Sequence, residues 1–267
     1  MLYNTFCLRY VNKPFDKFNC FDLNCLAKKM SLDLLNEDIS LVFHLKHPTT
    51  CLVSGPTGCG KTRFVSRLLT TPGMITPKPM RIIWIYSEWQ SIYNDLSAKI
   101  TIDFIKNGNI SQIYESLNSE EENLIVLDDQ MSSGDLTQKK QTVKLFTQGS
   151  HHRNLTVIHI VQNLFEQGSW SRTISLNSQY IVVFKNPRDS AQINYLAQQA
   201  YPRDSNFLVE SYLDATLKPH SYLAINLTQE CEQWKRVCSS IFPGEETLIY
   251  VETSCNVPEN LVYKVIS

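Results

Sequence analysis

Between residues 49 and 186 the chain alternates between two hydrophobic patterns. Five short stretches carry almost unbroken apolar runs: "TTCLVSG" (49–55), "RIIWIYS" (81–87), "NLIVLDD" (123–129), "LTVIHIVQN" (155–163) and "QYIVVFKN" (179–186). Runs of this length, rich in β-branched residues and without polar alternation, predict strands buried on both faces. Between them lie segments with helical spacing. "KTRFVSRLL" (61–69) places Phe64, Val65, Leu68 and Leu69 on one face, and "WQSIYNDL" (89–96) starts a second helix. "LTQKKQTVKLFTQGSHH" (136–152) predicts an amphipathic helix with Val143, Leu145 and Phe146 among its apolar positions. "SAQINYLAQQA" (190–200) predicts another, after Asn186-Pro187. Strands alternating with helices predict an α/β fold with a mainly parallel sheet flanked by helices.

The remaining segments read differently. "TPGMITPKPM" (71–80) is a Pro-rich loop. The first forty residues read as irregular, with "NKPFDKFNC" (12–20) a loop. Met30 opens "MSLDLLNEDISLVFHL" in the manner of an internal start, which makes the preceding segment dispensable. The division this predicts is an N-terminal extension over 1–41 and one domain over 42–267 that ends in strand and helix additions.

Composition narrows the classes. With 267 residues, 43% of them apolar and 19% charged, the chain can bury a full α/β core and is not disordered. A net charge of −1 excludes a general nucleic-acid coat, so contact with DNA requires a local patch or a channel built by an oligomer. No run of about 18 apolar residues marks a membrane span. The eight cysteines form no CxxC pair, which predicts reduced, mostly buried thiols in an intracellular protein, and His151-His152 lacks zinc spacing.

The chemistry concentrates in "GPTGCGKT". Gly55, Pro56, Thr57, Gly58, Cys59, Gly60, Lys61 and Thr62 match G-x-x-x-x-G-K-[ST], placed between a buried strand and a helix as that motif requires. Glycines let the backbone turn with positive φ and approach a phosphate closely. The loop N–H groups and the helix N-terminus then hold the anion. Lys61 is expected to reach the β- and γ-phosphates of ATP and Thr62 to ligate Mg²⁺. Asp128, at the end of four aliphatics, is expected to hold the same Mg²⁺ through water, with Asp129 orienting or deprotonating the attacking water. Two adjacent carboxylates repel, and a divalent cation relieves the repulsion. Gln162 ends the fourth strand, where an amide can sense the γ-phosphate. Arg153 precedes that strand, at the edge opposite its catalytic end, which suits a finger supplied to a neighbouring subunit, and Arg172 in "SWSRT" is the competing candidate.

Taken in order, the phosphate loop, "YSEWQ", "LIVLDD", "GSHHRN", "VIHIVQNLFEQG", "TISLNSQYIVVFKNPRDSAQINYLAQQAYP" and "IFPGE" resemble the double-stranded-DNA packaging ATPases of the poxvirus-type group in the FtsK–HerA superfamily. The likeness is strongest to versions carried by Maverick/Polinton elements and adintoviruses, and runs from about Val42 to Val251. It implies a RecA-like P-loop NTPase that hydrolyses ATP with Mg²⁺, assembles as a homo-oligomeric ring, and threads double-stranded DNA into a capsid in contact with capsid or portal proteins. By position, Gly55–Thr62 are then Walker A, Asp128 and Asp129 Walker B, Gln162 the sensor and Arg153 the finger. Asp129 departs from the glutamate commoner in the superfamily, and its shorter side chain reaches less far towards water. The resemblance places the protein in the host nucleus or cytoplasm at sites of virion assembly, and with the virion. Lys78, Lys139-Lys140 and Arg188 are candidate DNA-backbone contacts. Three other readings stay open: a cellular DNA translocase or helicase, a small-molecule kinase, and a domesticated nucleotide-binding module with little turnover. "NLFEQGSWSRTISL", with a single arginine where such kinases carry an Arg- or Gly-rich lid, argues against the kinase.

Overall fold

Almost unbroken apolar runs can be buried only where both faces of a sheet are covered, and the chain folds to meet that demand. The computed structural model describes residues 6–11, 43–128, 136–149, 153–165, 169–252, 255 and 264–266. In chain order the elements begin with β1 (Phe6–Val11), β2 (Leu45–Lys46), β3 (Thr50–Ser54), α1 (Lys61–Thr70) and β4 (Ile75–Thr76). They continue through β5 (Arg81–Tyr86), α2 (Ile92–Ser97), β6 (Asp103–Lys106), α3 (Ile110–Glu115), β7 (Asn123–Asp128) and α4 (Leu136–Lys144). A π-helical turn (Leu145–Gly149) leads to β8 (Leu155–Val161), α5 (Ser169–Leu176), β9 (Tyr180–Phe184), α6 (Ala191–Ala200) and α7 (Ser205–Ala215). The last elements are β10 (Tyr222–Asn226), a 3₁₀ turn (Gln233–Lys235), β11 (Val237–Ser239), β12 (Thr247–Glu252) and β13 (Lys264–Ile266).

One sheet runs in the order β6-β5-β7-β8-β3-β9-β10-β11-β12-β1-β13. From β6 to β9 every pairing is parallel, and every residue of β3, β7, β8 and β9 is buried. Successive side chains go to opposite faces. Val53, Trp84, Val126 and Ile160 pack with Phe64 and Leu68 of α1 on one face. Leu52, Ile85, Leu127 and Ile181 pack with Phe146, Leu196 and Phe207 on the other. Burial of Phe64, Val65 and Leu68 fixes α1 to the sheet, at about 1.5–3 kcal/mol per side chain.

The five predicted strands all form, together with elements that the hydrophobic pattern did not announce. β6 is an edge strand among the described residues, and its "DFIK" holds only two apolar residues, both half-buried. The Pro-rich segment holds β4, a two-residue pairing with β2. The predicted helix over 136–152 is α4 followed by the π turn, and 150–152 lie outside the described residues. Beyond β9 the sheet turns antiparallel: β10, β11 and β12 each oppose the strand before them. Within the stretch read as irregular, Phe6–Val11 is a strand parallel to β12. Phe6, Tyr10 and Val11 favour a strand, but the partner β12 lies at the other end of the chain, so no local pattern reports the pairing.

Candidate functional site

β3 ends at Ser54, and the chain turns through Gly55–Gly60 into α1. Gly58 (φ 80°) and Gly60 (φ 109°) take left-handed conformations that strain any other residue. Gly55 is required by contact, since a Cβ there would lie 2.7 Å from the Phe184 Cβ and 2.8 Å from the Cys59 Sγ. Gly60 caps α1 without a side-chain hydrogen bond, and the first turn of the helix carries no acidic residue. The first-turn N–H groups are thus left to an outside anion, reinforced by the helix dipole. The Lys61 ammonium spans the loop, donating to the Gly55 carbonyl at 2.6 Å and the Pro56 carbonyl at 3.0 Å. Burial raises the Cys59 thiol, although Lys61 acts in the opposite sense.

The acidic strand end lies close by. The Thr62 hydroxyl donates to Asp128 Oδ2 at 3.5 Å, across 66 residues of chain. Asp128 is 3% exposed and also accepts from the Tyr93 hydroxyl at 2.7 Å. Burial first, and then the Asp128 carboxylate, push the Tyr93 hydroxyl well above its ordinary range. A hydroxyl and a carboxylate are hard oxygen donors, and the pair fits Mg²⁺ completed by phosphate oxygens and water. Asp129 lies outside the described residues.

β8 is inserted between β3 and β7, so the strand that carries the loop and the strand that carries Asp128 are not neighbours. Val161 pairs with Ser54 and its carbonyl accepts from the Gly55 N–H at 3.3 Å, which puts the start of the next segment, Gln162, beside the phosphate loop. Ligands of open α/β sheets bind at this carboxyl edge.

The two arginine candidates differ sharply. Arg153 precedes β8 at the opposite edge of the sheet. Its guanidinium donates to the Leu117 carbonyl at 3.2 Å and lies 5.3 Å from the Tyr114 ring centroid. Seven strand residues separate it from the loop of its own subunit. Arg172 is exposed on α5, which follows the carboxyl end of β8. Mixing experiments separate the two. If a finger acts between subunits, a minority of Arg-to-Ala subunits added to wild type will depress ATP turnover more than in proportion; the guilty position is the one that does so, and proportional loss at both removes the trans role. Arg153→Ala also gives up a hydrogen bond and a cation–π contact, so its melting temperature will fall with a loss of about 1–2 kcal/mol.

The candidate DNA contacts are dispersed. Lys78 is exposed at the amino edge of β5, Arg188 is exposed after β9, and the Lys139 ammonium sits 4.8 Å from the Trp170 ring centroid. Two features went unread in the sequence. Tyr93 lies inside the helical segment predicted from Trp89, and nothing local marks its hydroxyl. His220 (φ 63°) brings Nδ1 within 3.1 Å of the Cys59 carbonyl across 161 residues, and no spacing rule could have announced it. Beside it a cleft of about 220 Å³ runs along the loop, lined by Cys59, Phe184, Lys185, Leu217 and Pro219 among others.

A glycine-turned loop feeding an uncapped helix, an acid two strands away and an interposed strand between them are the features of the P-loop NTPase fold of the RecA-like type. No family model and no curated protein matches the chain. Among solved structures it is similar to the genome packaging NTPase B204 from Sulfolobus turreted icosahedral virus 2, solved in complex with ATP-gammaS; the identity is 11%, the match covers 72% of this chain and 95% of that one, and the TM-score is 0.47. It is also similar to the KaiC-like protein PH0186 from Pyrococcus horikoshii OT3, at 13% identity, 76% and 90% coverage and a TM-score of 0.44. At such identities and scores the fold assignment rests on the strand order itself, and activity has to be argued from the site. Among the described residues no helix is long and apolar enough to cross a membrane.

Proposed function

We propose that this chain is an ATP-driven motor that moves double-stranded DNA into a capsid, working as a homo-oligomeric ring. The observation that carries the nucleotide part is the approach of Thr62 and Asp128 at the head of the phosphate loop, 3.5 Å apart although 66 residues separate them. In this reading the loop N–H groups and Lys61 hold the phosphates, and Thr62 and Asp128 hold Mg²⁺, which neutralises charge on the transferring phosphoryl group. Asp129 orients water and Gln162 senses the γ-phosphate. The cleft beside Cys59 and His220, where the exposed Leu217 and Pro219 offer apolar surface, would take the nucleoside end.

The DNA-moving part is supported by the resemblance of the ordered series of sequence motifs to those of packaging ATPases. With a net charge of −1, one subunit has little general attraction for DNA, and a ring concentrates its exposed cations around a channel. ATP turnover measured with and without duplex DNA tests the reading. Stimulation by DNA that fades as salt rises is the expected result, together with a particle several subunits in mass when an ATP analogue and duplex are present. Turnover indifferent to DNA would point to the kinase class, and binding without turnover to a nucleotide-binding module.

A further inference from the structure

Tyr93 stands at the centre of a block of aromatic rings beside the acidic strand end. Its ring centroid lies 5.4 Å from Trp84, 5.5 Å from Tyr86, 5.3 Å from Trp89 and 5.1 Å from Phe104. Trp84 and Tyr86 belong to β5, Phe104 to the edge strand β6, and Trp89 to the segment that leads into α2. Tyr93 is 0% exposed, and its hydroxyl donates to Asp128 Oδ2 at 2.7 Å, against 3.5 Å for the Thr62 hydroxyl on the same oxygen. A tyrosine gripped on four sides has one orientation, and its hydroxyl therefore defines one orientation of the carboxylate. Tyr86 also sits opposite Asp128 in the β5–β7 register, so the block is anchored to the strand it supports. "YSEWQ", which the proposed chemistry leaves without a role, contributes two of the rings.

We propose that Tyr93 is a positioning residue for the metal-binding carboxylate: it holds Asp128 in the rotamer that faces Thr62, and the aromatic block makes that hold rigid. The assignment rests on the nucleotide-binding reading of the site. Hydrogen-bond partners of metal ligands fix ligand orientation, and removing them typically weakens metal affinity about 10- to 100-fold. A loose carboxylate must be ordered each time a metal binds, whereas one already held needs no such ordering.

The test is Tyr93→Phe, which keeps the ring and removes only the hydroxyl. Mn²⁺ serves as the probe, with free Mn²⁺ followed by paramagnetic resonance in the presence of the full chain and ATPγS. The Mn²⁺ dissociation constant of the nucleotide complex is expected to rise about 10- to 100-fold. ADP affinity measured calorimetrically in chelator is expected to stay as in wild type. A role confined to folding would weaken both affinities together. Should Tyr93→Phe lose its cooperative melt, Phe104→Leu is the second variant: it keeps the hydroxyl, loosens one wall of the block, and is expected to shift Mn²⁺ affinity in the same direction by less. Unaltered Mn²⁺ affinity in the folded variant overturns the proposal. A wild-type chain that takes up no Mn²⁺ with ATPγS brings down the nucleotide reading and this assignment with it, whereas a wild type that binds beside an unaffected Tyr93→Phe removes the role of Tyr93 alone.

Discussion

Lys61→Ala will abolish measurable ATP binding at micromolar nucleotide while leaving the chain folded. The ammonium is held over the loop by two carbonyls, at 2.6 and 3.0 Å, and is the loop's only side-chain cation. A hydrogen bond to a charged group contributes about 1.5–3 kcal/mol, and Lys61 is placed to make such bonds to two phosphates. Losing them weakens binding by about a hundredfold or more. The cost to folding is smaller. Two bonds to carbonyls at the loop are lost, and water can satisfy those acceptors where the site is open, so about 1 kcal/mol is expected. Calorimetric titration with ATPγS and a thermal melt on one sample check both halves. Wild-type affinity in Lys61→Ala would show that the loop does not hold phosphate in this way. Lost affinity accompanied by a lost melt would assign Lys61 to structure instead.

The second large effect is on stability and depends on pH. His159 lies in the middle of β8, 0% exposed, with a centroid distance of 6.1 Å to the Phe146 ring. Among the described residues neither ring nitrogen has a hydrogen-bond partner. Burial pulls the imidazole down to about 3 from an ordinary 6.5. Because the folded-state value is depressed, the unfolded chain binds the proton first as pH falls. Stability is therefore lost from about pH 6.5 downwards, and the loss levels off only near the folded value. The group alone removes about 2 kcal/mol between neutral pH and pH 5. Urea unfolding of wild type and His159→Leu at pH 7.5 and pH 5 isolates the term, since other titrating groups are common to both. The pH-dependent loss in wild type should exceed that in the variant by about 2 kcal/mol. At pH 7.5 the variant should be nearly as stable as wild type or more so, because an unpartnered buried polar ring is replaced by an apolar chain. Equal losses in both chains would mean that His159 keeps access to a proton in the folded state.

His159 also shows where sequence reading stops. "LTVIHIV" reads correctly as a buried strand because six of its seven residues are apolar or β-branched, and the histidine does not interrupt the run. Nothing in the run says that both ring nitrogens go unpartnered; that follows from Phe146 and the other neighbours brought over β8. Tyr93 is the counterpart within the site. Its position in "SIYNDL" shows a helix-compatible apolar residue, but its hydroxyl meets an acid 35 residues further on. Arg153 was legible as far as its edge of the sheet, and not in its attachment to Leu117 and Tyr114.

The chain's own order of residues determined what depends on neighbouring atoms. Glycines at 58 and 60 permit the positive φ of the phosphate turn, and uninterrupted aliphatics require strands covered on both faces. Those constraints act over a few residues, so they can be read without knowing where the rest of the chain goes. The tertiary structure alone decided that β8 separates β3 from β7, that β10, β11 and β12 continue the sheet antiparallel, and that the Tyr93 hydroxyl meets Asp128. Each of these is a pairing between distant segments, chosen by which surfaces bury one another best, and burial is a property of the assembled layers rather than of any one stretch.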